Sequence, residues 1–284
     1  MNNLPIDLIQ YCIFDKLDFL TQIRFRRICK WLNRIEIHNM YFHIGNKYLD
    51  KLSDKILVNY NKLRYLNATN NSKITNINYI INLKILDASW YSGLDDNSIK
   101  DLNLIELYAQ DNSKITNVNH MTNLKILNVS YNCGIDDNGI KDLNLIELYV
   151  FNNSKITNIN RMTNLKILYA SGDCGLDDNG IKNLNLIELY ASWNPKITNI
   201  NHMTKLKILD ASDYKCGISD NSIKNLNLIQ LYALSNPKIT NVNHMTNLKI
   251  LNASYNCGLD DNGIKNLNLI QLYAPGNPKI KKKI

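Results

Sequence analysis

The sequence predicts an α/β solenoid preceded by a small all-helical segment, and three observations carry that prediction. A nine-residue frame, read at Leu104–Asn112 as L-I-E-L-Y-A-Q-D-N, returns every 20 to 22 residues from Leu63 almost to the C-terminus. Its opening leucine falls at Leu63, Leu83, Leu104, Leu124, Leu145, Leu165, Leu186, Leu206, Leu228, Leu248 and Leu269, which makes about eleven units over residues 63–284. Within each frame the apolar residues stand two apart, the spacing of a strand with one buried face. Residues 1–42 share none of this and carry apolar residues at helical spacing instead.

Each unit has a second leucine three residues on, as at Leu66, Leu86 and Leu107, and a small apolar residue two further, as at Ala68, Ala88 and Ala109. Eight residues after the first leucine an asparagine often stands: Asn71, Asn112, Asn132, Asn153, Asn194, Asn236, Asn256 and Asn277. An asparagine there can bond backbone groups of the turn leaving the strand, so these residues are expected to form one ladder along the array. The pattern L-x-x-L-x-[AV]-x-x-N at this period resembles the leucine-rich repeat. That resemblance implies a horseshoe with a curved parallel sheet whose concave face binds partners. A lone unit could not bury its leucines, so the array is expected to fold as one body.

Composition narrows the function classes. The formal charge of +8 suggests nucleic acid, but the lysines recur singly, once or twice per repeat, as on a solvated outer face. Denser clusters stand only at Arg24, Arg26, Arg27, Lys30 and Arg34, and at Lys279, Lys281, Lys282 and Lys283. No apolar stretch approaches the length of a membrane helix and no signal-peptide pattern opens the chain, so a soluble protein of the cytoplasm or nucleus, without membrane contact, is expected. Cys133, Cys174, Cys216 and Cys257 occupy one repeat position in every other unit. Alternate strands lie roughly 9 to 10 Å apart, beyond the ~7 Å Cα limit of a disulfide, so these are expected to be reduced core thiols. No metal or cofactor motif is present.

Taken in order, the chain starts with two expected helices, Ile6 to Asp15 and Phe19 to Ile35, separated by Asp15-Lys16-Leu17-Asp18, with Leu4-Pro5 ahead of the first. The run L-P-I-D-L-I-Q-Y-C-I-F-D-K-L-D-F-L resembles an F-box, and a later Cys-Lys-Trp fits its end. The resemblance implies docking onto a Skp1-type adaptor of a cullin-RING ubiquitin ligase. Leu4, Pro5, Leu8, Ile9, Ile13, Phe14, Leu17 and Leu20 would then face the adaptor, with Ile28 and Trp31 beside them. Arg-Phe-Arg-Arg at 24–27 is more basic than the usual F-box pattern. The alternative is a helical cap that only shields the first repeat.

Residues 43–62 read as a linker, either a helix or an imperfect first repeat. After them, two kinds of repeat alternate. One continues as C-G-I-D-D-N-G-I-K-D-L-N, where Asp136 or Asp137 can cap a short helix carrying Ile140 and Leu143 inward. The other continues as N-S-K-I-T-N-V-N-H-M-T-N and suits a tighter 3₁₀-like return. The unit from Leu206 has an extra residue near Asp213, where a local bulge is expected.

Function is expected on the exposed strand positions, the alternative being that the ladders there are duplicated copies of residues that form strands well. One row includes Tyr108, Tyr149, Tyr169, Tyr190 and Tyr232, and the row beside it Glu106, Glu147 and Glu188. Tyrosine offers a large, stiff contact with a polar tip, and acids beside it favour a basic or polar protein segment. Trp90, Gln110, Phe151, Trp193 and Leu234 break the repeat at or beside these rows and are candidate anchor points. His120, His202 and His244 recur at one convex position as turn residues. The Asp-Asp-Asn-Gly stretches lack the later glutamate of a calcium loop, and no nucleophile, phosphate loop or acid/base set appears. The expectation is a non-enzymatic receptor that holds a target on the repeats and an adaptor at the N-terminus. The near-identical, Asn/Ile/Lys-rich units also resemble leucine-rich-repeat proteins of giant viruses of amoebae, which would make the adaptor a host protein.

Overall fold

The computed structural model describes residues 51–281, together with 10, 17, 19–27, 35, 37, 39 and 40. They fall into two compact units, Met1–Leu127 and Asn128–Ile284.

In the first unit, helix α1 spans Phe19–Arg26. It is shorter than the expected run to Ile35: the Arg27 amide closes it onto the Arg24 carbonyl at 3.1 Å, and Ile35 lies buried in a bend. The buried Gln22 ties α1 to the preceding bend, its Nε2 donating to the Leu17 carbonyl at 2.9 Å. Asn39–Met40 forms β1, a strand inside the span expected to be all helical, and it pairs in parallel with β2 (Tyr65–Asn67). Of the expected adaptor-facing residues, Leu17 lies in the bend and Leu20 in α1. Leu4, Pro5, Leu8, Ile9, Ile13 and Phe14 lie outside the described residues, as does the expected first helix apart from the buried, helical Gln10.

Residues 51–62 lead into the first strand of the repeated frame. Helix α2 (Asp54–Leu57) and a 3₁₀ turn at Val58–Tyr60 bury Leu57, and Leu52 is buried ahead of them. Then β2, β3 (Ile85–Asp87) and β4 (Glu106–Tyr108) pair in parallel without offset, Tyr65 beside Ile85 and Ile85 beside Glu106. Strand β5 (Ile126–Asn128) stands at the junction of the two units.

The second unit repeats the plan. Strands β6 (Glu147–Tyr149), β7 (Ile167–Tyr169), β8 (Glu188–Tyr190), β9 (Ile208–Asp210), β10 (Gln230–Tyr232), β11 (Ile250–Asn252) and β12 (Gln271–Tyr273) pair in chain order, all parallel. Every strand from β6 to β11 buries its central leucine and leaves the residues on either side half-exposed. From β6 to β11 the leucines and small residues of the frame, such as Leu186, Leu189 and Ala191, are buried, whereas Leu272 and Ala274 of the last unit are half-buried.

The return path explains why two repeat types alternate. In one type a single-turn helix follows: α3 (Asp96–Ile99), α4 (Asp137–Ile140), α5 (Asp178–Ile181) and α6 (Asp220–Ile223). The two aspartates of each doublet divide the work. The first caps its own helix, Asp136 accepting from the Gly139 amide at 3.1 Å and Asp177 from the Gly180 amide at 2.9 Å. The second reaches the next repeat: Asp137 accepts from the Thr157 amide (2.8 Å), the Thr157 hydroxyl (2.6 Å) and the Asn158 amide (3.2 Å). The same clamp joins Asp96 to Thr116, Asp178 to Thr198 and Asp220 to Thr240. In the other type the chain returns through successive three-residue turns, Met121 N–H on Val118 O (3.0 Å) and Leu124 N–H on Met121 O (2.9 Å). That is 3₁₀ bonding without a continuous helix.

The asparagine ladder runs through alternate repeats only. Asn112, Asn153, Asn194, Asn236 and Asn277 are buried and reach back across a whole unit, as Asn194 Nδ2 does to the Ala170 carbonyl at 2.9 Å. Asn132 and Asn256, expected in the same ladder, are exposed. In their units the buried partner of the core is the next residue, Cys133 or Cys257, and all four repeat cysteines are free and buried. The extra residue near Asp213 disturbs no strand, since Asp210 stays in register with Tyr232. It is absorbed in the corner, where Asp213 takes φ +82° and Tyr214 projects outward.

Candidate functional site

The outer strand positions build a continuous aromatic and acidic surface in the second unit. In-register pairing places Tyr149, Tyr169 and Tyr190 side by side, and their rings stack with centroids 4.2 and 4.3 Å apart and planes 5° and 3° from parallel. Glu147 and Glu188, two residues before Tyr149 and Tyr190, point the same way because strand side chains alternate, with Ile167 between them. The Tyr190 hydroxyl donates to Glu188 Oε2 at 2.9 Å, and Tyr149 makes a short bond to Glu147 Oε1. Tyr108 does the same to Glu106 at 3.0 Å in the first unit, and Tyr232 bonds Gln230 at 3.2 Å. Burial, and then the neighbouring carboxylate, pushes the Tyr149 and Tyr190 phenols above their ordinary value, so they stay neutral donors. Burial also raises the Asp210 carboxyl.

None of the strand triplets from β2 to β12 contains lysine or arginine. This face therefore presents flat rings and carboxylates, stiffened by hydrogen bonds along each strand. Such a surface can bind with little loss of side-chain freedom.

The candidate residues that interrupt the repeat separate into two places. Gln110, Phe151 and Leu234 directly follow the exposed rows and are half-buried. Trp90 and Trp193 stand one residue further on, at the corner rather than on the rows, 38% and 48% exposed. Every repeat leaves its strand here through a left-handed residue, and the series is Asn70, Trp90, Asp111, Tyr131, Asn152, Gly172, Trp193, Asp213, Ser235, Tyr255 and Gly276. Glycine and asparagine suit that conformation, whereas bulky side chains are rare in it. Two aromatic pairs result: Tyr131 meets Phe151 at 5.1 Å, and Trp193 meets Tyr214 at 6.1 Å with Lys215 Nζ 5.6 Å from the Trp193 ring. Sequence reading missed Tyr131, Tyr214 and Tyr255. For Tyr131 and Tyr255 the available signal was an aromatic residue where a left-handed turn calls for glycine or asparagine; Tyr214 follows the left-handed Asp213 and carried no such signal.

The return paths between strands hold structural contacts. His120, His202 and His244 reach the carbonyls of Ile99, Ile181 and Ile223 with Nε2 at 3.2 to 3.4 Å. Among the described residues no group of His, Cys, Asp or Glu is arranged to hold a metal ion, and no helix is long and apolar enough to cross a membrane.

Comparison with solved structures fixes the architecture. The functional domain of InlJ from Listeria monocytogenes, which includes a cysteine ladder, matches with TM-score 0.52 and 20% identity over 84% of this chain. The chain has the leucine-rich-repeat fold. The structure of a TLR13–ssRNA13 complex matches with TM-score 0.50 and 17% identity over 75% of the chain. The chain spans about half the length of the first structure, 54%, and 40% of the second. No family model and no curated protein matches the sequence.

Proposed function

We propose that this leucine-rich-repeat chain is a non-catalytic protein-interaction module that holds a target protein on its strand face. The observation that carries this reading is the stack of Tyr149, Tyr169 and Tyr190, flanked by the carboxylates of Glu147 and Glu188 on either side of Ile167. Rigid tyrosines are the residues that gain most at protein interfaces. The absence of lysine and arginine from the strand triplets disfavours a phosphate backbone on this face. The F-box-like run from Leu4 to Leu20 supports the finer reading, in which residues 1–42 dock onto a Skp1-type adaptor, possessed by the host if the chain is viral. The protein would then be the substrate-recognition subunit of an SCF-type ubiquitin ligase, acting by holding the target near the charged enzyme.

Two measurements test the two halves. A photo-crosslinking amino acid placed at Tyr169 should capture a discrete partner that the same group at the convex Asn158 does not; equal capture from both faces removes the strand-face reading. A purified Skp1-type adaptor should bind the wild-type chain and not a Pro5→Ala/Phe14→Ala variant shown by circular dichroism to be folded. If a folded wild-type chain does not bind, the N-terminal segment is better read as a cap on the first repeat.

A further inference from the structure

One place on the strand face of the first unit is built differently from the tyrosine stack. Strand β3 carries Asp87 where its neighbour β4 carries Tyr108, and Ile85 where β4 carries Glu106. Because aspartate is short, the row dips into a shallow, solvent-open depression of about 370 Å³, lined by Tyr65, Ile85, Asp87, Glu106 and Tyr108. Two tyrosines stand on its opposite sides, two carboxylates line it, and no basic residue does. Both carboxylates are already oriented. Asp87 Oδ1 accepts from the Ser89 amide at 3.1 Å, and Glu106 Oε2 accepts from the Tyr108 hydroxyl at 3.0 Å.

We propose that this depression is the anchor point for an arginine side chain of the bound protein, a refinement that rests on the strand-face reading above. The lining selects the ligand by charge and by shape. Two carboxylates in one small depression are stabilised by a cation and repel phosphate or an acidic peptide. Aromatic walls add attraction for a cation lying over a ring. A guanidinium is flat, stacks on tyrosine and has five N–H donors, enough to bond both Asp87 and Glu106 at once. A lysine ammonium is a compact, strongly hydrated point charge that can use the carboxylates but not the flat walls.

The chain supplies its own neutral version of the site. Where β11 meets β12, the same register positions hold Ile250, Asn252, Gln271 and Tyr273, with amides in place of both acids. Asp87→Asn and Glu106→Gln therefore introduce residues that this fold already accommodates at those positions.

The test uses the full chain with labelled isoleucine methyl groups, following the Ile85 methyl signal by NMR. The probe is the capped pentapeptide Gly-Gly-Arg-Gly-Gly, compared with its lysine and citrulline analogues. The expected result is a saturable shift of the Ile85 signal with the arginine peptide, at least fivefold weaker binding of the lysine peptide and none of the citrulline peptide. The Asp87→Asn/Glu106→Gln variant should weaken arginine binding at least tenfold while its other methyl signals stay in place. An unmoved Ile85 signal, equal response to lysine or citrulline, or undiminished binding by the double variant overturns the proposal. Because the crosslinking at Tyr169 reports on the second unit, the arginine site can fall while the interaction-module reading stands.

Discussion

Asn194 joins its own turn to the unit before it: fully buried, it donates from Nδ2 to the carbonyls of Ala170 at 2.9 Å and Leu176 at 3.3 Å, and accepts from the Lys196 amide at 2.8 Å. Replacing it with leucine keeps the volume but strands those backbone groups. An unsatisfied buried polar group costs about 1–3 kcal/mol, so Asn194→Leu should lose roughly 2–4 kcal/mol. Asn256 has the same repeat position but is exposed, so Asn256→Ala should stay within about 0.5 kcal/mol of wild type. Urea denaturation of both variants checks the contrast, and equal losses would restore the single ladder expected from sequence.

The second aspartate of each doublet makes a separate prediction. Asp137→Ala removes three bonds to Thr157 and Asn158 but leaves the Asp136 cap in place. On an exposed surface the loss should be about 1–2 kcal/mol. Hydrogen exchange should show it as faster opening at the Thr157 and Asn158 amides while the Gly139 amide keeps its protection. Loss of protection at Gly139 instead would mean that Asp137, not Asp136, holds the helix.

These two residue pairs also show what the sequence makes legible. Strand positions, core leucines and the alternation of repeat types follow from local periodicity, since each residue's burial depends on its place in one repeat. The partner of Asp137 lies twenty residues away, and nothing within its own repeat distinguishes it from Asp136. Asn132 and Asn153 likewise look equivalent in the frame. The difference is that Cys133 follows the first and fills the core in its place, leaving Asn132 exposed. Trp193 was visible as an exception, but its backbone angle was not, so its place at the corner emerges only in three dimensions. The depression at Asp87 and Glu106 depends on register between neighbouring repeats, which a single frame does not contain.

The buried thiols predict an alkaline loss of stability. Burial pushes Cys174 and Cys216 up from 9.0 to about 11. A raised value means that the folded state holds the proton more tightly than the unfolded state. Their contribution is therefore complete below pH 9 and is lost as pH rises through 11, at up to about 1.4 kcal/mol per unit for each thiol. The raised phenols of Tyr149 and Tyr190 act in the same direction at higher pH. Denaturation midpoints at pH 8, 9.5 and 10.5 should fall steadily, and a Cys174→Ala/Cys216→Ala variant should show a shallower fall. A wild-type profile flat across that window would show that the thiols ionise equally in both states.

Trp193 and Gly172 occupy the same left-handed corner, at φ +64° and +71°, with opposite consequences. At Gly172 a Cβ would lie 2.1 Å from Asn152 Oδ1 and 3.3 Å from the Phe151 ring, so Gly172→Ala combines a clash with an unfavourable φ. A loss of about 1–3 kcal/mol is expected. At Trp193 the strain is already present, and nearly half of the side chain faces solvent. Trp193→Gly relieves a conformational cost of about 1 kcal/mol and gives up the burial of about half the side chain together with its contacts to Tyr214 and Lys215, terms of similar size. Its melting temperature should therefore change little. The exposed half of Trp193 is available to the partner proposed for the strand face. Partner capture at the strand face should therefore weaken in Trp193→Gly as stability holds; a stability loss above about 1 kcal/mol would instead make Trp193 a packing residue.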